Sequence, residues 1–210
     1  MIPAVSRIGP NAIIQVTRVL ERVVGSMPAA ELMTDAGLGG YLLAPPQHMV
    51  DEREVIALHA AVRRRLGPAG AGEVLRQAGT ATGDYLLAHR IPRPAQLLLR
   101  ALPAQIAARV LVATIARHAW TFAGSGRFAA QPGRPLVITI VDNPICRGIS
   151  SPAPVCDYFA ATFERLFQQL VHPRAAVIET QCAAAGAPSC RFEIDWRRPY
   201  FNSTSMKRNS

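Results

Sequence analysis

Apolar residues recur at helical spacing from the start of the chain. Ile13, Val16, Leu20, Val23 and Val24 mark one face of an amphipathic helix, with Asn11 as its expected N-cap and Gly25 as its stop. Pro28 to Ala36 reads as a second, short helix ended by Gly37-Leu38-Gly39-Gly40, and Pro45-Pro46 marks a loop. A third helix is expected from Asp51 to Leu66, closed by Gly67-Pro68. Gly72 to His89 keeps the helical pattern despite Gly79 and Gly83, whose missing side chains would let a neighbour or ligand approach closely. A fifth helix follows Pro92-Arg93-Pro94, with Leu98, Leu102, Ile106 and Val110 as an i, i+4 stripe kinked at Pro103.

After His118 the period changes. Trp120, Phe122 and Phe128 flank Gly124-Ser125-Gly126, which reads as a hairpin, and Leu136 to Val141 is a strand of β-formers ended by Asp142-Asn143-Pro144. A helix from Cys156 to Val171 carries Phe159, Phe163, Leu166, Phe167 and Leu170 on one broad face. Two strands follow, Ala176 to Cys182 and Cys190 to Trp196, joined by the small loop Ala183 to Ser189. Helices first and then β-β-α-β-β define an α+β fold with a mostly antiparallel sheet. With 210 residues, half of them apolar, the chain can bury a sizeable core. One ligand-binding domain is expected over 1–196, with a helical part at 1–118 and a sheet-plus-helix part at 119–196. A polar basic tail takes up 197–210.

The net charge of +9 is carried by arginine, since Lys207 is the only lysine. It suits anionic partners such as carboxylates, phosphates, acidic proteins or lipid headgroups, although abundant arginine and alanine are also what a GC-rich genome produces. DNA binding is not expected, because no helix-turn-helix or zinc-finger pattern accompanies the charge. Arg100, Pro103 and Arg109 interrupt the most apolar stretch, Ala95 to Ala116, which argues against a membrane span. The first residues lack the charged and apolar regions of a secretory signal, so a cytoplasmic protein is expected.

The four cysteines all fall in the last third of the chain, and in a reducing compartment such a group leans toward metal or redox chemistry. Cys182 and Cys190 flank a hairpin loop and should face each other, while Cys156 starts a helix, where the dipole favours a thiolate. If these ends meet, three sulfurs converge, and Cys146 or Glu179 would complete a tetrahedral zinc site. Spacing alone leaves a metal site, buried thiols and a redox pair all open. A zinc with four protein ligands would stabilise rather than catalyse.

The five histidines are scattered and read as surface or capping residues, and Arg63-Arg64-Arg65 reads as a solvated face. His118 stands out beside Trp120 and Phe122, where an imidazole over a flat aromatic ligand would reach a central magnesium. Its ordinary role would be to face the helix dipole. Neither Gly37-Leu38-Gly39-Gly40 nor Gly124-Ser125-Gly126 has the strand-turn-helix context of a nucleotide loop, which counts against a self-sufficient reductase.

The run Cys156-Asp157-Tyr158-Phe159, the strand Val177-Ile178-Glu179-Thr180-Gln181-Cys182 and the segment Cys190-Arg191-Phe192-Glu193-Ile194 together resemble the 4-vinyl reductase domain family. Three earlier stretches look like the members of that family found in bacteriochlorophyll biosynthesis: Arg7-Ile8-Gly9-Pro10-Asn11-Ala12, Thr82-Gly83-Asp84-Tyr85-Leu86-Leu87 and His118-Ala119-Trp120-Thr121-Phe122. The resemblance implies an α+β ligand-binding fold similar to that of haem-based nitric-oxide sensors and Golgi transport subunits. It also implies zinc on Cys156, Cys182 and Cys190. Related domains add a glutamate, which this sequence lacks near Gly133, so Cys146 is the substitute fourth ligand.

For function, the resemblance implies a carrier or accessory protein that holds a magnesium porphyrin or chlorophyllide and passes it between pathway enzymes. The alternative is the vinyl reductase itself, which would need NADPH. The expected tetrapyrrole pocket draws on Tyr85, His118, Trp120 and Phe122, with Arg90 and Arg93 pairing with propionates in two-point geometry. The reading leaves room for a homodimer.

Overall fold

The computed structural model describes residues 6–197. The start of the chain, and the predicted basic tail beyond Arg197, lie outside the described residues.

A short strand β1 (Arg7–Ile8) leads into α1 (Asn11–Val24), which buries Ile13, Val16 and Leu20. Pro10 rather than Asn11 occupies the N-cap position, and no side chain caps this helix. Gly25 ends it with φ 90°, a conformation open to glycine at little steric cost. Then come α2 (Ser26–Asp35), the single turn α3 (Gly40–Leu43) and β2 (Val50–Asp51), which pairs antiparallel with β1. The sequence pattern does not announce this two-residue ribbon.

Helix α4 (Glu52–His89) begins where Asp51 Oδ1 accepts the N–H of Arg53 at 2.9 Å, and it breaks at Gly67, whose φ of 66° and ψ of 177° are not helical. Gly67-Pro68 thus separates the two predicted helices, which abut end to end. The predicted fifth helix is two helices, α5 (Arg93–Ala101) and α6 (Ala104–Arg117), with Leu102 extended between them. The break resets the helical phase. Leu98, Ile106 and Val110 therefore face outward, while Leu99, Ala107, Ala108, Leu111 and Val112 are buried. Trp120–Ala123 forms another single turn, α7, and Gly124 with φ 55° ends it, so the expected hairpin at 124–126 is absent.

The hairpin lies further on, between β3 (Arg127–Gln131) and β4 (Leu136–Val141). A 3₁₀ turn at Pro144–Cys146 leads to α8 (Asp157–Leu170), β5 (Ala176–Gln181) and β6 (Cys190–Asp195). The sheet is antiparallel with order β3-β4-β6-β5. Ile140 pairs with Cys190, Ile138 with Phe192 and Leu136 with Ile194, all of them buried.

Helix α8 is sandwiched between the sheet and α4. On the sheet side, Phe163 meets Phe192 edge-on at 5.6 Å. Toward α4, Gly79 faces the Tyr158 carbonyl, and a Cβ on Gly83 would stand 2.8 Å from Arg165 Cβ, so both glycines serve close helix packing. One connected hydrophobic core runs from Ile8 to Trp196.

Candidate functional site: a buried four-cysteine centre and an open groove

The elements around α8 bring all four cysteines together in the interior. Cys146 closes the 3₁₀ turn, Cys156 is the N-cap of α8, and Cys182 and Cys190 flank the β5–β6 loop. Cys190 Sγ is 3.5 Å from both Cys146 Sγ and Cys156 Sγ, and Cys182 Sγ is 3.9 Å from Cys156 Sγ and Cys190 Sγ. All four sulfurs lie within 4.8 Å of one another. Four sulfurs each ~2.3 Å from a tetrahedral ion stand roughly 3.8 Å apart, so the spacing fits one ion at the centre. The thiols are free and too far apart for a disulfide bond. This arrangement can hold a metal ion.

The surroundings suit an anionic centre. Asn143, buried in the turn before Cys146, donates from Nδ2 to Cys156 Sγ at 3.3 Å. Arg63, expected on a solvated face, instead points inward and donates to the carbonyls of Val155 at 2.6 Å, His59 at 3.1 Å and Ile145 at 3.4 Å. Burial lowers its pKa, and the neighbouring Cys156 thiol, Asp157, Cys146 and Cys182 oppose that shift. A guanidinium remains charged through this range. Hydrogen bonds from the thiols of Cys146, Cys156 and Cys190 hold Cys182 well below the usual thiol range, while contacts within the same group, together with burial, push Cys190 and Cys156 up.

Glu179, the other expected candidate, stands outside the four-sulfur group. Its Oε2 accepts the N–H of Cys156 at 2.7 Å, which caps α8, and burial raises its pKa to about 8. Between Glu179 and Gln181 the register of β5 against β6 shifts at a bulge, just before the chain reaches Cys182.

His59 departs from its expected surface role. It is fully buried, its ring meets Tyr158 edge-on at 5.5 Å, and neither ring nitrogen has a hydrogen-bond partner. Burial, aided by the nearby Arg63 charge, lowers its pKa to about 3. Glu52 anchors a second node. Burial raises its pKa, but hydrogen bonds from the Ser125 N–H at 2.7 Å, Ser125 Oγ at 2.8 Å and Arg147 at 3.0 Å outweigh this and hold the carboxyl below its ordinary value. Gly124-Ser125-Gly126 is thus a carboxylate clasp that ties the start of α4 to the chain around Cys146.

A groove of about 660 Å³ opens on the surface between the β1–β2 ribbon and α7, lined by Ser6, Arg7, His48, Met49, Trp120 and Gly124. Trp120 is 63% exposed at its edge. Phe122 turns inward and meets Phe128, Phe159 and Phe163 edge-on. His118 caps α6, with Nδ1 2.9 Å from the Thr114 carbonyl. Tyr85 packs on His89 at 4.7 Å, and Arg90 and Arg93 lie exposed at the α4–α5 corner. Of the six expected pocket residues, Trp120 lines the groove. Sequence reasoning missed Arg7 and His48, since a single basic residue beside a proline-rich loop carries no pattern.

The same combination of helices, antiparallel sheet and sulfur centre is found in known proteins. The 4-vinyl reductase domain matches residues 136–195, the segment that carries Cys146, Cys156, Cys182 and Cys190. Solved H-NOX structures share the fold. One, from a study of haem distortion in the H-NOX family, superposes with a TM-score of 0.57 at 15% identity, covering 93% of this chain and 98% of that one. Another, an Fe(II) unliganded H-NOX protein mutant from K. algicida, gives 0.60 at 10% identity, covering 91% and 97%. The molecule is therefore a 4-vinyl-reductase-domain protein with an H-NOX-like α+β fold.

Two full-length relatives narrow this further. The bacteriochlorophyll synthase 23 kDa chain of Cereibacter sphaeroides is 51% identical over 193 residues, covering 91% of this chain and 92% of the relative. The protein of the same name from Rhodobacter capsulatus is 44% identical over 189 residues, covering 90% and 86%. The chain belongs to the family of bacteriochlorophyll synthase 23 kDa chains.

Proposed function

We propose that this protein serves bacteriochlorophyll biosynthesis as a tetrapyrrole-binding carrier or accessory protein, acting with other enzymes of that pathway. The family name of its relatives supports the pathway. The observation that carries the binding reading is the groove of about 660 Å³ beside the exposed Trp120, a size typical of sites for large organic ligands. In this reading the Trp120 ring stacks on the macrocycle, His48 or His118 offers an imidazole to a central magnesium, and Arg7 pairs with a propionate. Arg90, Arg93, Tyr85 and Phe122, named from the sequence, would act from the flanking helices. The four cysteines bind one structural zinc, closed to substrate because every ligand position is a protein sulfur.

The test is a titration of the purified protein with magnesium protoporphyrin, following pigment absorption and fluorescence with and without NADPH. The carrier reading predicts saturable binding and an unchanged pigment. Steady conversion of the vinyl group to ethyl would replace it with the reductase reading.

A further inference from the structure

We infer that α5 and α6 form a docking surface for a bilayer containing anionic lipids. The inference is independent of the pigment reading.

Two observations meet on these helices. The first is exposed aliphatic surface: Leu97 and Leu98 on α5 are 65% and 63% exposed, and Ile106 and Val110 on α6 are 48% and 45% exposed. The second is charge of one sign. Between Asp84 and Asp142 the sequence holds seven arginines and no acidic residue. Arg93, Arg109 and Arg117 are exposed and make no salt bridge among the described residues.

Helical spacing places these features together. Ile106, Arg109, Val110 and Arg117 follow one outward ridge of α6, opposite the buried Ala107, Ala108, Leu111 and Val112. Arg93, Leu97 and Arg100 follow a ridge of α5 at i, i+4 and i+7. Short aliphatic side chains between arginines suit the boundary of headgroups and acyl chains, where the aliphatic groups dip in and the guanidinium groups reach the phosphates.

A second copy of the chain is disfavoured as the occupant, because it would set two acid-free arginine faces against each other. A protein partner would more often meet aromatic and methionine anchors within a polar rim. No helix among the described residues is long and apolar enough to cross a membrane, so the contact lies in the plane of the interface.

The test is co-sedimentation of the full chain with vesicles of phosphatidylcholine alone and of phosphatidylcholine with about one third phosphatidylglycerol. We expect binding to the anionic vesicles, at least tenfold weaker binding to the neutral ones, and a steep loss on adding salt. Arg109→Gln with Arg117→Gln should weaken binding by roughly 25-fold, at about fivefold per arginine. Ile106→Ser with Val110→Ser should weaken it while leaving the salt dependence in place. Circular dichroism checks that these surface variants fold.

Equal binding to neutral vesicles would overturn the proposal, as would retention of anionic binding by both double variants or no vesicle binding at all. A dimer in gel filtration that Ile106→Ser with Val110→Ser dissolves would overturn it in favour of self-association. Binding only to an acidic protein would assign the face to a protein partner instead.

Discussion

Gly79 in α4 faces the backbone carbonyl of Tyr158 in α8 with no room for a side chain between them, and a Cβ there would also stand 3.0 Å from Ala161 Cβ. The contact closes the interface that holds the start of α8, and with it Cys156. In an open helix Gly→Ala gains about 1 kcal/mol of propensity, but overpacking costs typically ~1–3 kcal/mol. Gly79→Ala should therefore destabilise the protein. Gly72→Ala, whose Cβ would meet only Asp157, with Oδ2 at an ordinary 3.4 Å, should be neutral or stabilising. Urea denaturation of the two variants checks the contrast.

Arg63 tests whether α4 also braces the sulfur centre. Its guanidinium satisfies the carbonyls of Val155 and Ile145, which flank two of the cysteines. Arg63→Met should leave these groups unpaired at a cost of about 1–3 kcal/mol. It should also speed metal loss to a chelator, because a positive charge beside the thiolates is gone. A denaturation curve and a chelator competition measure the two effects separately.

The cysteines and the packing elements were legible for different reasons. Leu136–Val141 and the Cys182/Cys190 hairpin were readable because β-branched runs and flanking loop residues are local signals. The burial of Arg63 was obscured by its place in a run of three arginines. Yet its phase, four residues after His59 on the stripe of Val55, Leu58 and Val62, carried the information. The break between α5 and α6 could be placed at Pro103, but the phase reset that turns Ile106 and Val110 outward depends on the extended Leu102. The β1–β2 ribbon and the Glu52–Ser125 clasp join segments distant in sequence, which no local pattern encodes.

Removing metal should loosen the fold at the sulfur centre. Metal analysis of the wild type should find about one zinc per chain, and Cys182→Ser should lose most of it. Chelation should lower Tm and make the four thiols available to alkylation. A wild-type protein without metal and with all four thiols reactive would contradict the assignment.

His59 predicts a pH dependence with a definite sign. Its folded pKa is about 3 against an ordinary value of 6.5, so between these values the unfolded chain binds a proton that the folded chain does not. Stability should be full above pH 6.5 and fall on acidification, by at most about 1.4 kcal/mol per pH unit from this group. His59→Phe should flatten this part of the profile between about pH 6.5 and 4. An unchanged profile would show that His59 is not the titrating group.

The central claim is that a tetrapyrrole sits against Trp120, apart from the sulfur centre. Trp196 is buried, so a Trp196→Phe background leaves Trp120 as the reporting tryptophan. Titrating magnesium protoporphyrin into that variant should quench Trp120 emission saturably at one pigment per chain, and the pigment extracted afterwards should be unchanged. Absence of saturable quenching, or recovery of an ethyl product when NADPH is present, would contradict the account.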